Sequence, residues 1–385
     1  MAEALRVLIV GASGVFGSRL AELAARERGI ALTLAARDAG RLEQVARGLA
    51  VPVNLARIDR DSVKAVDLVG YDLVVDAAGP FQSSHCKLIE AAIGARVAYV
   101  DLADGRDFVR EFPRFDAGAR EAGVSLVTGA SSIPALSHAV LDRIVEGWRA
   151  VDSIRIGIYP GNRAPRGRSV VEAILSYVGR PVRVFREGIW QELPGWGGLH
   201  REQIDRIGPR WASVCDTPEQ DLLVARYQPR RSAEFFAGLE LGLLHVGLWL
   251  CSLPVRWGLL RSLRPLAVPM LKLAELVRPL GSDRGCMTVR ASGEDAQGRP
   301  VKRCWVLRAD ANRGPYVPVL AALAMIRRQR DGLQPSPGAR VCSGMLTLAD
   351  FSGDMAALGM EHWLDGEQGQ LGFDSADERL QSSAA

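Results

Sequence analysis

The sequence predicts an α/β chain: a doubly wound parallel sheet first, then a second α/β domain with a mixed sheet and apolar helices. Three observations carry that expectation. Short β-branched apolar runs alternate with stretches of helical spacing through the first 130 residues. A glycine-rich turn joins the first run to the first helical stretch. Beyond residue 150 strand-like alternation returns, broken by one long apolar segment fringed with arginine.

The first run, Leu5-Arg-Val-Leu-Ile-Val10, reads as a buried parallel strand. Gly11-Ala-Ser-Gly-Val-Phe-Gly17 follows, and Leu20, Leu23, Ala24 and Ala25 then give helical spacing. Strand, glycine turn and helix together form the dinucleotide-binding fingerprint of a Rossmann domain. Gly11 permits the tight turn, Gly14 lets backbone approach a pyrophosphate, and Gly17 lets the helix pack on the strand. The helix N-terminus offers unpaired N–H groups and a partial positive charge. A second strand over 30–36 ends at Arg37, where an NAD-specific site would carry an acid for the ribose hydroxyls. Arg37 suits a 2′-phosphate instead, which favours NADP over NAD. Asp38 and Arg41 read as capping and supporting residues of the next helix.

Strand three is expected over 51–58 with Asp59 at its end, and strand four over 72–76. The turn Ala77-Ala-Gly-Pro-Phe81 lies where ligands sit in open α/β sheets. A helix over 84–93, a strand over 97–100 and a strand over 124–128 complete the domain, assigned to 1–130.

The second domain, assigned to 131–350, opens with an alternating strand over 151–159. A loop bearing Arg163, Arg166 and Arg168 follows, then a helix with Ser169 as N-cap and Glu172 completing a capping box. Further strands are expected over 182–186, 287–290 and 303–307, with Trp190, Trp196 and Trp211 in the intervening loops. Residues 239–253 are the most apolar stretch, interrupted only by Glu240 and His245 and stopped by Pro254. That is short of the roughly 20 residues a membrane span needs. Amphipathic sequence continues to Leu280, so the apolar helical segment 235–280 fits core helices, a greasy substrate tunnel, a dimer face or peripheral membrane contact. His245 reads as a core histidine. A helix over 319–330 ends in Arg327-Arg-Gln-Arg330, and 351–385 forms a C-terminal segment whose tail is polar and acidic from Asp365.

Composition limits the partners. The formal charge is +4 over 385 residues, lysine occurs only at 64, 87, 272 and 302, and no basic block is interleaved with aromatics. Nucleic acid is therefore not indicated as a partner. Six dispersed cysteines without a C-x-x-C pair read as reduced thiols, and nothing has zinc-ligand spacing, so no metal is expected. The first strand begins at once, leaving no room for a signal peptide, and a cytoplasmic location is expected.

No tyrosine is followed by lysine four residues on, so the Tyr-x-x-x-Lys pair of short-chain reductases is absent. Tyr99, Asp101, Ser131, Ser132 and His138 lie near strand ends and are the acid/base candidates, with no single catalytic residue assigned. Together Gly11–Gly17, Ala35-Ala-Arg37, Val75-Asp-Ala-Ala-Gly-Pro-Phe81 and Tyr99-Val-Asp-Leu102 resemble the saccharopine dehydrogenase-like oxidoreductases. The resemblance extends through Gly161-Asn-Arg-Ala-Pro-Arg-Gly-Arg-Ser169, Gly281-Ser-Asp-Arg-Gly-Cys-Met287 and Asn312-Arg-Gly-Pro-Tyr-Val-Pro318. It implies hydride transfer with NAD(P) to an imine, enoyl or carbonyl group. It would set Gly11, Ala12, Ser13, Gly14, Val15 and Phe16 on the pyrophosphate and Arg37 on the 2′-phosphate. Asp59 would lie near the adenine, and Ala78, Gly79 and Pro80 near the ribose and nicotinamide. No cluster stands ready for two amino-acid carboxylates, which points away from saccharopine toward an apolar, lipid-like small molecule. The expected function is an NADP(H)-dependent oxidoreductase; the alternative is a non-catalytic NADP-binding protein on a membrane surface or partner.

Overall fold

The computed structural model describes residues 4–364, so the acidic tail lies outside the described residues. Strands β1 (Leu5–Val10), β2 (Ile30–Ala36), β3 (Asn54–Arg57), β4 (Leu73–Asp76), β5 (Ala98–Asp101) and β6 (Ser125–Thr128) pair in parallel. Strands β7 (Ala150–Tyr159), β8 (Pro181–Arg186), β9 (Ile189–Pro194), β10 (His200–Ile204), β11 (Gly208–Val214), β12 (Ser232–Ala237), β13 (Gly285–Glu294) and β14 (Pro300–Ala309) build a second, mixed sheet. The chain then returns: β15 (Gly338–Val341) pairs with β6, and β16 (Glu361–Leu364) pairs with β14. The first sheet therefore reads β15-β6-β5-β4-β1-β2-β3. Its order turns around at β1, the switch point where ligands lie in such sheets.

The helices are α1 (Val15–Ala24), α2 (Ala39–Arg47), α3 (Lys87–Ala95), α4 (Arg106–Glu111), α5 (Asp116–Ala122), α6 (Ser137–Ile144), α7 (Arg168–Tyr177), α8 (Glu219–Tyr227), α9 (Gly242–Arg256), α10 (Ala267–Leu276), α11 (Val317–Arg330) and α12 (Ala349–Ala357). Alternation along a strand decides which layer each side chain meets. Val7 and Ile9 face the core that holds Leu20 of α1 and Leu320 and Leu323 of α11. Leu8 and Val10 face the opposite core with Leu88 and Ile89 of α3. Both faces are buried, which is why the run is almost wholly apolar. The first of these cores continues into the second sheet through Ile154, Ile156, Val289 and Leu307.

Four local expectations change. Helix α7 starts at Arg168 behind Gly167, so Ser169 lies inside the first turn rather than at the cap. Glu172 pairs with Arg168 at 2.6 Å instead of closing a capping box. Helix α9 runs through Pro254 to Arg256, since a proline loses only one bond when the helix ends within a turn of it. Trp190 lies in β9 and Trp211 in β11; Trp196 alone stays in a loop, fully buried, with its indole N–H donating to the His245 carbonyl at 3.2 Å. Among the described residues no helix is long and apolar enough to cross a membrane.

Candidate functional site

The turn from β1 to α1 is fixed by backbone contacts. Gly11 has φ +83°, and a Cβ there would stand 2.7 Å from the Ala78 backbone. A Cβ on Gly17 would stand 2.2 Å from the Gly11 carbonyl oxygen, so helix and turn touch with no room for a methyl group. The Gly14 amide donates to the Gly11 carbonyl at 2.9 Å, which closes the turn. Gly14 is the N-cap of α1, without a side-chain cap and with no acid in the first turn. The first-turn amides have no acceptors within the helix and point at the space beyond the strand ends, as an anion site requires. Gly11, Ala12, Ser13, Gly14, Val15 and Phe16 thus form one cradle whose donors suit a pyrophosphate.

Arg37 leaves β2 exposed, with no side-chain partner among the described residues. Asp38 caps α2 by accepting the Arg41 amide at 3.1 Å and pairs with the Arg41 side chain at 3.5 Å, as the sequence suggests. Sequence reasoning passed over two further arginines. Arg57 stands in register with Ala36, exposed and likewise unpaired among the described residues, so two free cations flank the carboxyl edge of β2. Arg60 is buried; it donates to the Ala78 carbonyl, lies 3.3 Å from Asp76 and covers the Phe81 ring. It ties the exit of β3 to the turn after β4, bringing Asp59 and Ala78-Gly79-Pro80 to the same end of the sheet. Asp59 accepts the Asp61 amide at 3.2 Å. The signal for Arg57 and Arg60 was a cation at or just beyond a strand end, as for Arg37.

The acid/base candidates separate in space. The Asp101 carboxylate oxygen Oδ1 accepts from Thr128 Oγ1, Gly129 N and Ala103 N, at 2.8, 2.8 and 2.9 Å. Burial nonetheless raises its pKa to about 7, because those donors offset only part of the lost solvation. Tyr99, its phenol 3.4 Å from Asp76, is also enclosed, and burial holds its proton on well above the ordinary range. His138 is sealed between Ser343 Oγ at 2.7 Å and Glu219 Oε2 at 3.1 Å. It joins the end of β15 to α6 and α8. Ser131 is buried beside Gly129, and Ser132 alone of the five reaches an open space. His245 accepts the Leu239 amide at Nδ1, so its Nε2–H donates to Ser213 Oγ at 2.9 Å. Burial lowers its pKa to about 4, which leaves it neutral and structural.

That open space is an apolar cavity of about 630 Å³ between α1 and the second sheet. Phe16 and Ser132 lie on its wall nearest the glycine turn, and Ile158, Met287 and Leu307 supply the second sheet's face. Helices α7, α9 and α10 close it. The start of α7 abuts the start of α1, since a Cβ on Gly167 would touch Val15 at 3.4 Å. Arg166 and Asp283 are the charged residues on this wall. Arg166 is held by Asn162, to which it donates at 2.8 Å. Asn162 is anchored in turn to the Val277 carbonyl at 2.9 Å and to Glu240 at 2.7 Å. Burial lowers the Arg166 pKa, with Glu275 and Glu240 opposing from a distance; the guanidinium stays charged.

Residues 7–142 match the model of the saccharopine dehydrogenase NADP binding domain. A curated relative, carboxyaminopropylagmatine dehydrogenase of Synechocystis sp., is 25% identical over 249 residues, covering 60% of this chain. The match spans 61% of that relative's length. Among solved structures, apo saccharopine dehydrogenase (L-Glu forming) from Saccharomyces cerevisiae aligns with TM-score 0.68 and 13% identity, over 94% of this chain and 100% of that one. Homospermidine synthase from Legionella pneumophila in complex with NAD aligns with TM-score 0.58 and 12% identity, over 95% and 94%. The structural likenesses concern the fold, and the NADP-binding description concerns residues 7–142. Residues 7–142 thus resemble the saccharopine dehydrogenase NADP binding domain, within a chain whose fold is similar to that of saccharopine dehydrogenase.

Proposed function

We propose that the protein is an NADP(H)-dependent oxidoreductase acting on an imine, enoyl or carbonyl group of an apolar small molecule. The carrying observation is one cavity, apolar along its length, that begins at Phe16 and Ser132 beside the dinucleotide turn. When bound, the nicotinamide cofactor donates or accepts the hydride. The α1 amides would hold its pyrophosphate, Arg37 and Arg57 its 2′-phosphate, and the Ala78-Gly79-Pro80 turn the ribose and nicotinamide side. The cavity excludes water from the reacting carbon, and its size is that of an ordinary small-molecule site. Arg166 would donate to the substrate's carbonyl-type oxygen, orienting the head group while the apolar remainder fills the space behind. Ser132 is the serine on the cavity wall and would carry the proton relay to solvent or substrate. The dehydrogenase relative supports the reaction class, and the apolar wall supports a substrate unlike two joined amino acids.

Arg37→Ala is expected to weaken NADPH by about 1.5–3 kcal/mol, the worth of one charge-assisted contact, and to leave NADH nearly unchanged. Calorimetric titration with both nucleotides reads this; equal losses for the two would remove Arg37 from the 2′-phosphate. Gly247 lies on the cavity wall, and a Cβ there meets open space. Gly247→Phe is expected to raise KM about tenfold or more for long-chain ketones and enoyl esters while sparing short ones and NADPH affinity. An NADPH-oxidation panel graded by chain length checks it. Activity independent of chain length in both proteins would sink the apolar-substrate reading, and silence across the panel with tight NADPH binding would favour a non-catalytic binder.

A further inference from the structure

The layer made by α9, the turn after it and α10 has two faces. One lines the cavity through Leu244, Leu248, Met270 and Val277. The other is bare: ten of the sixteen large apolar side chains exposed among the described residues lie between Leu243 and Leu280. Trp257 at 68% and Leu276 at 77% exposure stand largely in solvent. An ordinary soluble surface scatters such residues singly, whereas a concentrated patch marks a contact.

Charge identifies the contact. Residues 242–280 hold Arg256, Arg261, Arg264, Lys272 and Arg278 against the single acid Glu275, which pairs with Arg278 at 3.4 Å. That excess of four falls within 39 residues and equals the formal charge of the entire 385-residue chain, so positive charge is dense here. Apolar side chains interleaved with long cationic ones fit the headgroup zone of an anionic bilayer, where stems enter the acyl boundary and heads meet phosphate. A second copy of this chain would bring the same positive charge to the same face and would be repelled.

The cavity opens onto this patch. Of the wall residues only Leu243, 82% exposed, and Leu273, 52% exposed, also stand in solvent, and both belong to it. We propose that the α9–α10 layer docks on an anionic lipid bilayer, with the cavity mouth between Leu243 and Leu273 facing the acyl chains. An apolar substrate then passes from bilayer to cofactor without crossing water. That last step rests on the cavity being the substrate site; docking itself does not.

The test is flotation of the full-length protein with phosphatidylcholine vesicles, with and without phosphatidylglycerol, at low and high salt. Phosphatidylglycerol is expected to raise the partition coefficient on the order of a hundredfold for the three exposed cations Arg261, Arg264 and Lys272, and salt to reduce it. Trp257→Glu/Leu259→Glu/Leu276→Glu should stay unbound while NADPH titration remains unchanged, which shows that the variant folds. Failure of the parent protein to float with anionic vesicles overturns the proposal, as does equal flotation with and without phosphatidylglycerol. A dimer that the triple variant dissolves, in place of vesicle binding, also overturns it by giving the patch to a second copy. Flotation needs no turnover, so docking and the enzymatic reading fail separately.

Discussion

Gly17→Ala is expected to reduce NADPH affinity at least about a hundredfold and to lower stability by about 1–3 kcal/mol, the usual range for forced overpacking. The added methyl group would stand 2.2 Å from the Gly11 oxygen, 2.7 Å from the Gly11 carbonyl carbon and 2.8 Å from Ala12 Cα. All three are backbone atoms of the turn, so no side chain can swing aside. Helix α1 must instead retreat from β1, carrying its N-terminal amides away from the pyrophosphate they would meet. A control of the same chemistry should go the other way. Gly353 in α12 has nothing within 4 Å of its would-be Cβ, so Gly353→Ala should gain about 0.5–1 kcal/mol from helix propensity. Urea denaturation and NADPH titration of both variants distinguish a steric effect from a general cost of altering glycine. Unimpaired NADPH binding by Gly17→Ala would remove the cradle from its assigned role.

Arg106→Met is expected to destabilise the protein by about 3 kcal/mol, at the low end for breaking a buried ion pair. Arg106 starts α4 and is 7% exposed. It reaches Asp221 of α8 through two bonds of 2.6 Å, the Arg183 carbonyl of β8 at 2.7 Å and Asp216 at 3.2 Å. Methionine fills much of the volume but leaves both carboxylates and a carbonyl without their cation. The carboxylates are about one-third exposed, so water recovers part of the loss, which sets the estimate at the low end. Because the guanidinium joins α4 to α8 and β8 of the second sheet, urea unfolding should broaden or split while NADPH binding persists. Arg106→Met/Asp221→Asn should recover part of the lost stability, since it removes one stranded charge. A variant as stable as the parent would mean that the two sheets are held together by the shared apolar core alone.

The parts of the site that could be read from sequence are those fixed by neighbours along the chain. The glycine turn is legible because its constraint is the contact between Gly17 and Gly11, six residues apart. Arg37 is legible because it ends a strand whose alternation can be counted, and Asp38 because a cap acts on the next turn. Arg57 was missed because its relevance depends on the register of β3 against β2. Arg60 was missed because its partners, Asp76 and Ala78, come from the turn after the next strand. His138 looked like a chemical candidate until Glu219 and Ser343 arrived from distant segments to enclose it.

The sequence by itself determined the parallel-sheet class, the dinucleotide turn and the leaning toward NADP, since strand alternation, φ-demanding glycines and a missing acid are local facts. Tertiary structure alone decided the remainder. It brought β15 back to the edge of the first sheet and α11 across its face, pairings that no periodicity encodes. It also gave the 235–280 segment its two faces. Hydrophobicity along a chain records how much apolar surface exists, whereas packing decides which part borders a cavity and which part is left against solvent.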